Sequence, residues 1–493
     1  MRTVPGPSDS VVVVGAGLGG LSAALALAGA GRHVTVLERE RVPGGRAGLL
    51  HDHGYRFDTG PTVLTMPDIL ARPFAAVGEN ISDWLTLRRL DPAYRARFAD
   101  GSSIDVHADV DAMTQEIAEA CGSVDAAGYR RFVRYLRKLY AVEMPHFIDR
   151  NLDSSLQLLG PPLGQLLLLG GFRRLEARVG RFFRDERLRR LFSFQAMYAG
   201  LAPARALALY SVITYMDCVA GVYFPEGGMH AVPRALAAAA MAHGVTIRYG
   251  TPVSRIEISG SRASAVITHT GERIAADVVL VNADLPMAAR ELLPPGYAPR
   301  RLRRLKYSPS AVVLNIGSAA DYEDAVHHTI EFGAAWDETF TQLIDRGELM
   351  SDPSFLLTNA TRTDDSLAPP NRQTYCALFP APNLVAGRVD WQMSRDAYRD
   401  YIVDTIEKRG YEGFADGIEC MHLTTPADWA AQGIAAGAPF SATHQFSQTG
   451  PFRPATLDRR IENLVYAGAN TQPGVGVPMV LLSGQLAARR ITG

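Results

Sequence analysis

Four consecutive valines, Val11 to Val14, lead into Gly15, Gly17, Gly19 and Gly20, and then into an alanine- and leucine-rich stretch ending near Gly31. Valines favour strands, whereas alanine and leucine favour helices, so this run predicts a buried strand, a glycine turn and a helix. No charge interrupts Ser10 to Gly31, but the clustered glycines argue against a membrane span or a signal segment. The residues before it, with Pro5, Gly6, Pro7 and Asp9, predict a loose arm. His33 to Leu37 predicts a second strand ending at Glu38. Further along, the pattern predicts a helix over Ala231 to His243 and strands over Val245 to Tyr249 and Val253 to Ile258. Arg273 to Asn282 alternates and enters the apolar run Val278 to Val281, as a central strand would. Near the end, Asn463 to Ala467 predicts a short strand and Gly468 to Gly476 a loop. Pro478 then suits the first turn of a helix through Ile491.

A second uncharged run, Ser154 to Phe172, is interrupted by Pro161 and Pro162, so neither half reaches the about 20 residues needed to cross a bilayer. Arg173, Arg174, Arg178, Arg181, Arg184, Arg187, Arg189 and Arg190 follow, opposed only by Glu176, Asp185 and Glu186. An apolar segment beside an arginine-rich helix suits a membrane interface, and it equally suits an apolar loop followed by a solvated basic face.

Length and composition narrow the class. The 493 residues suggest about three domain-equivalents at roughly 150 residues each. Lys+Arg number 50 and Asp+Glu 51, a balance that offers no general field for nucleic acid. Cys121, Cys218, Cys376 and Cys420 are too scattered for a CxxC redox or zinc pattern and predict buried thiols in a reducing, cytoplasmic compartment, with no metal site. The chain has no HExxH, GxSxG or GxxxxGK[ST], so metalloprotease, α/β-hydrolase and P-loop chemistry lack their central residues.

The candidate chemistry lies in the glycines. Gly15, Gly17 and Gly20 form GxGxxG between a strand and a helix, which offers a pyrophosphate the helix N-terminus, and Glu38 ends the next strand where a ribose would sit. NAD and FAD share this arrangement. The following Pro43-Gly44-Gly45-Arg46 favours FAD, because it suits a cofactor with a further polar stretch, and Arg46 offers a planar fork. Phe57-Asp58-Thr59-Gly60-Pro61-Thr62 predicts a tight loop near the flavin. A helix starting at Pro478 would favour negative charge at the flavin's N1–C2=O edge.

Read together, these residues resemble the bacterial-type phytoene desaturases of the FAD-dependent amine oxidase-like flavoproteins, from about Val11 to Ile491. Phe57 to Thr62, Tyr223-Phe-Pro-Glu-Gly-Gly228, Phe440-Ser-Ala442 and above all Asn463 to Pro478 carry the likeness. The branch usually has histidine where this chain has Gln472, and a small residue where it has Asn470. The resemblance implies an α/β fold, with a discontinuous Rossmann-like FAD-binding domain over 11–65, 223–284 and 453–493. An inserted α+β substrate domain would occupy 66–222 and 285–452, with 154–190 as its membrane-associating segment. The implied cofactor contacts are Gly15, Gly17, Gly20, Glu38, Arg39, Gly45, Arg46, Gly60, Pro61, Thr62, Val253, Gly468, Ala469, Gly476 and Val477.

The implied activity is desaturation of a long hydrophobic polyene such as phytoene, in carotenoid biosynthesis, by hydride transfer to flavin N5 and proton loss. Its partners would be a membrane surface, touched peripherally, and an electron acceptor, oxygen or a quinone. An isomerase or ketolase on the same scaffold, a flavin amine oxidase, an NAD-dependent dehydrogenase and a non-catalytic prenyl-binding escort are the alternatives. The aromatic stretch Leu191 to Tyr215 suits a channel wall or ordinary core. No catalytic acid or base is identified; His51, Asp52 and His53 read as turn residues.

Overall fold

The computed structural model describes residues 1–493, the side chain of residue 300 excepted. A five-stranded parallel sheet draws strands from three distant stretches of chain. In spatial order they are Thr246–Arg248, His33–Leu37, Ser10–Val14, Val278–Val281 and Leu464–Tyr466. Val11 lies opposite both Val34 and Val278, and all four valines are buried, because helices cover both faces of such a sheet. The helix Leu18–Gly29 crosses the terminal helix Val477–Thr492 at two glycines: a Cβ on Gly484 would stand 2.2 Å from the carbonyl oxygen of Gly19. Asparagine and serine side chains then bind the two ends of the chain together, as in Ser22 Oγ donating to the Leu481 carbonyl at 2.8 Å.

The expected strand from Arg273 to Asn282 is two elements. Arg273–Ala275 ends an antiparallel meander with Val253–Ser259 and Arg262–Thr268, and Val278–Val281 joins the parallel sheet. Asp277 makes the break, because its backbone N–H donates to the Ser10 carbonyl and its carboxylate accepts from the Ser10 N–H. The N-terminal residues are also less loose than their prolines suggest. Val4 is buried and its N–H donates to the Arg490 carbonyl, which docks the arm on the terminal helix.

A second sheet of seven strands runs in the order Ile418–Thr424, Ser310–Ser318, Gln373–Ala381, Phe355–Asn359, His328–Phe332, Tyr94–Phe98 and Ser103–Val106. Helices Val110–Cys121 and Ser123–Glu143 belong to the same half of the molecule. The strand Val222–Pro225 pairs with Leu64–Thr65 and Leu87–Arg89, and so joins the end of the Gly60 loop to this half.

The apolar run folds into a short 3-10 turn, Ser155–Leu158, and a helix, Pro161–Leu168. Pro161 and Pro162 start that helix, where their missing N–H groups cost nothing. Among the described residues no helix is long and apolar enough to cross a membrane. The arginines after it are divided between helices Leu175–Val179 and Glu186–Leu191. All four cysteines are free thiols, of which only Cys218 is fully buried.

Candidate active site

The two sheets enclose a cavity of about 1420 Å³, and every candidate cofactor residue except Gly20 lines it. Gly20 serves packing: a Cβ there would lie 2.2 Å from the Gly15 carbonyl oxygen. Gly17 also has a reason the fingerprint alone does not supply. Its Cβ would stand 2.7 Å from Oδ1 of Asn282, and a Cβ on Gly19 would stand 2.7 Å from Nδ2 of the same side chain. Asn282, at the end of the central strand Val278–Val281, therefore occupies the space the glycines leave, and it donates to the Ala467 carbonyl at 3.1 Å. The N-terminal and C-terminal loops meet on this one amide.

Glu38 is buried beside the first loop. One carboxylate oxygen accepts from the Ala16 N–H at 2.6 Å and the other from the Glu40 N–H at 2.9 Å. These bonds hold the acid at the cavity edge and leave lone pairs for a ribose hydroxyl. The second glycine pair runs beside the first, Gly44 donating to the Ala16 carbonyl. Arg46 is not a free fork. It donates to Asp284 at 2.6 Å, to Ser441 Oγ at 2.8 Å and to the Pro439 carbonyl at 3.0 Å. Its carbonyl in turn forces Gly60, whose Cβ would stand only 1.8 Å away. Arg39 reaches outward to the Gln432 carbonyl, and Val253 begins its strand at the cavity wall.

The C-terminal loop is held from behind. Arg453, fully buried, donates to the carbonyls of Thr471, Ala469 and Ala442, and burial lowers its pKa to about 10. Asn470 accepts from the Ala442 N–H and donates to Asp284 at 2.9 Å. Gln472 clasps the Leu152 backbone in both directions, at 3.1 and 3.0 Å, and so connects this loop to the start of the apolar run. Both departures from the usual motif thus carry structural bonds. His444 closes the far side, where its ring stands 2.2 Å from the Cβ position of Gly474. Sequence reasoning passed over Asn282, Asp284, Arg453 and His444. The predicted strand reaches Asn282, but no motif marks the side chains of Asn282 and Asp284 at its end.

The cradle fits a dinucleotide. Helices Leu18–Gly29 and Val477–Thr492 both begin at the cavity with glycines, Gly17 and Gly476, and neither has a side-chain cap. Their free N–H groups and dipoles favour negative charge there. Asp284 Oδ1 is buried and makes no well-formed hydrogen bond among the described residues, and burial raises this carboxyl despite the Arg46 guanidinium and the nearby Ala435 and Met287 N–H groups. That is an acceptor awaiting a hydroxyl-bearing ligand.

Beyond the cradle the wall becomes hydrocarbon. Phe194, Met197, Ile213, Met216, Ile330, Phe332 and Trp336 line it, as do Leu158, Leu163, Leu166, Phe172, Phe446 and Phe452 at the other end. Of the aromatic stretch, Tyr198 and Tyr210 also face the cavity, whereas Phe192 stacks on Tyr129 and Phe183 in the core. Two buried carboxyls interrupt this wall, Glu143 and Asp217. Among the described residues Glu143 Oε1 is buried without a hydrogen bond, and burial holds this carboxyl well above the usual range. Asp217 accepts from the Tyr94 hydroxyl at 2.5 Å, and burial pushes it up to about 7 against that bond. His51, Asp52 and His53 lie in and beside the hairpin turn between strands Leu49–Asp52 and Tyr55–Asp58, outside the cavity.

Comparison with known proteins adds a family. The flavin containing amine oxidoreductase family matches residues 18–492. The chain is 57% identical over 495 residues to a phytoene dehydrogenase of Streptomyces griseus, across 100% of this chain and 97% of that protein. It is 37% identical to a zeta-carotene-forming phytoene desaturase of Myxococcus xanthus, across 98% of this chain and 93% of that protein. Among solved structures, an oxidoreductase from Methanosarcina mazei shares the fold with a TM-score of 0.63 at 18% identity, covering 96% of this chain and 98% of that one.

Proposed function

The chain belongs to the flavin-containing amine oxidoreductase family, and within it we propose an FAD-dependent desaturase whose substrate is phytoene or a closely related carotenoid. The observation that carries this reading is a cavity of about 1420 Å³, polar at its glycine cradle and apolar beyond it. Pockets for one small ligand usually measure roughly 300–1,000 Å³, so there is room for a cofactor and a long hydrocarbon together. The whole-length similarity to phytoene dehydrogenases supports the same substrate class.

Bound FAD supplies a hydride acceptor. The chain's own residues do the positioning. Gly15, Gly17 and the start of helix Leu18–Gly29 would hold the pyrophosphate, Glu38, Arg39 and Val253 the adenosine end, and Gly45, Arg46 and Asp284 the linking hydroxyls. Gly60, Pro61, Thr62, Gly468, Ala469, Gly476 and Val477 would surround the ring. The apolar wall excludes water and so protects a cationic hydrocarbon from addition. The sheet memberships support the division into a discontinuous cofactor domain, 11–65, 223–284 and 453–493, and a substrate domain, 66–222 and 285–452.

We also propose peripheral attachment to a membrane at the apolar end of the cavity. Leu156, Leu159, Leu167 and Leu168 are exposed there, Leu168 by 90%, with Phe446 and Phe452 beside them. Phe446 packs on both Phe172 and Phe452, and these three rings line the cavity together with Leu158, Leu163 and Leu166 of the same apolar run. The basic half of the contact differs from the expected one. Arg187 and Arg190 pair with Asp185 and Glu186, Arg189 donates to the Phe183 carbonyl, and Arg178 lies over the Tyr135 ring. Arg173, Arg174, Arg181 and Arg184 of the expected set stay exposed, and Arg301, Arg303, Arg304 and Lys306 add further exposed cations, of which Arg301 donates to the Phe452 carbonyl. Turnover requires an electron acceptor, oxygen or a quinone, and a membrane quinone would meet the protein on this same face.

Co-expression with a phytoene-producing pathway tests the reading. Phytoene should fall and a more conjugated, longer-wavelength pigment should rise. Unchanged phytoene beside flavin-loaded protein would remove this substrate.

A further inference from the structure

Turning CH–CH into C=C removes two hydrogens and two electrons. One hydrogen would leave as hydride, for which FAD, held by the residues of the cradle, would supply the acceptor. The other leaves as a proton, and the electron pair of its C–H bond closes the double bond. The cradle accounts for the hydride and leaves the proton without a destination. We propose that Asp217 is the base that takes this proton. The proposal rests on the desaturase reading above.

Six ionisable side chains line the hydrocarbon part of the wall: Glu143, Arg150, Tyr198, Tyr210, Asp217 and His444. Burial raises the phenols of Tyr198 and Tyr210, which keeps them protonated and unable to accept. Arg150 is already a cation. Glu143 has no donor to support a negative charge and is held in its protonated form. His444 is kept neutral by burial and by Arg453 behind it, so its ring accepts a proton poorly. Asp217 alone is built as an acceptor. Its Oδ1 is fixed by the Tyr94 hydroxyl at 2.5 Å, and its Oδ2 is buried and makes no well-formed hydrogen bond among the described residues, although the Gln195 amide lies near enough to favour its charge. A buried lone pair left open in this way is unusual and calls for a ligand or a reaction.

Its place in the fold supports the role. Asp217 sits in a π-helical turn, Tyr215–Val219, an arrangement frequent at functional sites. The strand that follows, Val222–Pro225, pairs with Leu64–Thr65, the continuation of the Gly60-Pro61-Thr62 loop. Main-chain bonds thus tie the carboxyl's segment to the cofactor end of the cavity. The groups facing it are Tyr94 from one strand, Gln195 and Tyr198 from the segment Phe194–Ala199, and Cys218 beside it. His328 stacks behind Tyr94 at 5.5 Å and is kept neutral by burial. With its pKa near 7, a large fraction of Asp217 is ionised at neutral pH, where a general base works best.

The test uses the FAD-loaded protein with phytoene in liposomes. Product formation should rise with pH through a limb near 7. Asp217→Asn should cost at least about 100-fold in rate, with flavin content and melting temperature kept. Tyr94→Phe removes a bond that lowers the Asp217 pKa, so the limb should move to higher pH, whereas Glu143→Gln should leave it in place. Independently of turnover, infrared spectra of the flavin-free protein should show a carboxyl band titrating near pH 7 that Asp217→Asn abolishes. Near-normal rates in Asp217→Asn, a limb that vanishes with Glu143→Gln, or no carboxyl titration near neutrality would each overturn the assignment. If Asp217→Asn fails to fold, the Tyr94→Phe shift decides. If the wild type makes no product at any pH, the desaturase reading fails, and the infrared titration still reports on Asp217.

Discussion

Gly17 and Gly20 belong to one motif, yet a side chain would meet different obstacles at each. At Gly17 it would meet the end of the Asn282 side chain at 2.7 Å, which can turn away; at Gly20 it would meet the backbone oxygen of Gly15 at 2.2 Å, which cannot. Gly17 has φ −72°, a conformation open to any residue. Gly17→Ala should therefore keep its fold and lose FAD, because a displaced Asn282 disturbs the junction of the two cofactor loops. Asn282→Ala in the same chain should restore part of the binding. Gly20→Ala should lower the melting temperature by several degrees, with no such rescue. Flavin absorbance per protein, with thermal unfolding, distinguishes the two; equal melting losses would contradict the contact argument.

Between elements, Asp58 couples the strand Tyr55–Asp58 to the helix Ala231–Ala242. It accepts from the Met229 and His230 N–H groups at 2.7 and 2.9 Å, just before that helix begins. This bond pair explains why the Phe57-Asp58 and Gly227-Gly228 segments accompany each other. Burial outweighs the two hydrogen bonds and nearby Arg56, and raises the carboxyl to about 6 from 3.8. A folded pKa above the unfolded one adds stability that is complete below about pH 3.8 and lost as pH rises through about 6. Between pH 4 and 7 the wild type should lose up to about 3 kcal/mol relative to Asp58→Asn. Denaturation of both proteins across that range measures it, and parallel curves would show that Asp58 does not titrate there.

Over the whole molecule, the cavity connects a polar cradle with an exposed apolar mouth. Liposome co-sedimentation should rise with anionic lipid and fall with salt, since each surface cation contributes about 1 kcal/mol and is screened. Leu167→Ser with Leu168→Ser and Phe446→Ser should weaken attachment even at low salt, because apolar insertion is the other half of it. Leu166 is left intact, since it is buried against Gly171 inside the fold. Flavin content should stay unchanged, as none of the three belongs to the cradle. Equal sedimentation of variant and wild type would move the membrane contact elsewhere.

The sequence by itself determined the parallel sheet, its glycine turns and the dinucleotide cradle. Each depends on local requirements: β-branched runs for strands, glycines where a Cβ has no room, a proline at a helix start. The strand Val278–Val281 was legible for the same reason, although its separation from Arg273–Ala275 was not, because the break is made by Asp277 bonding to Ser10 from a distant part of the chain. What only the tertiary structure decided is which side chains share the cavity. Asn282, Asp284, Arg453 and Asp217 have no local signature, and their roles arise from partners far away in sequence: Gly17, Arg46, Thr471 and Tyr94. The arginines after the apolar run show the same limit. Their charge was legible, but whether each guanidinium met solvent or a carboxylate depended on the packing of two short helices. Burial and hydrogen bonding between remote segments are properties of the folded chain, and composition and spacing do not encode them one residue at a time.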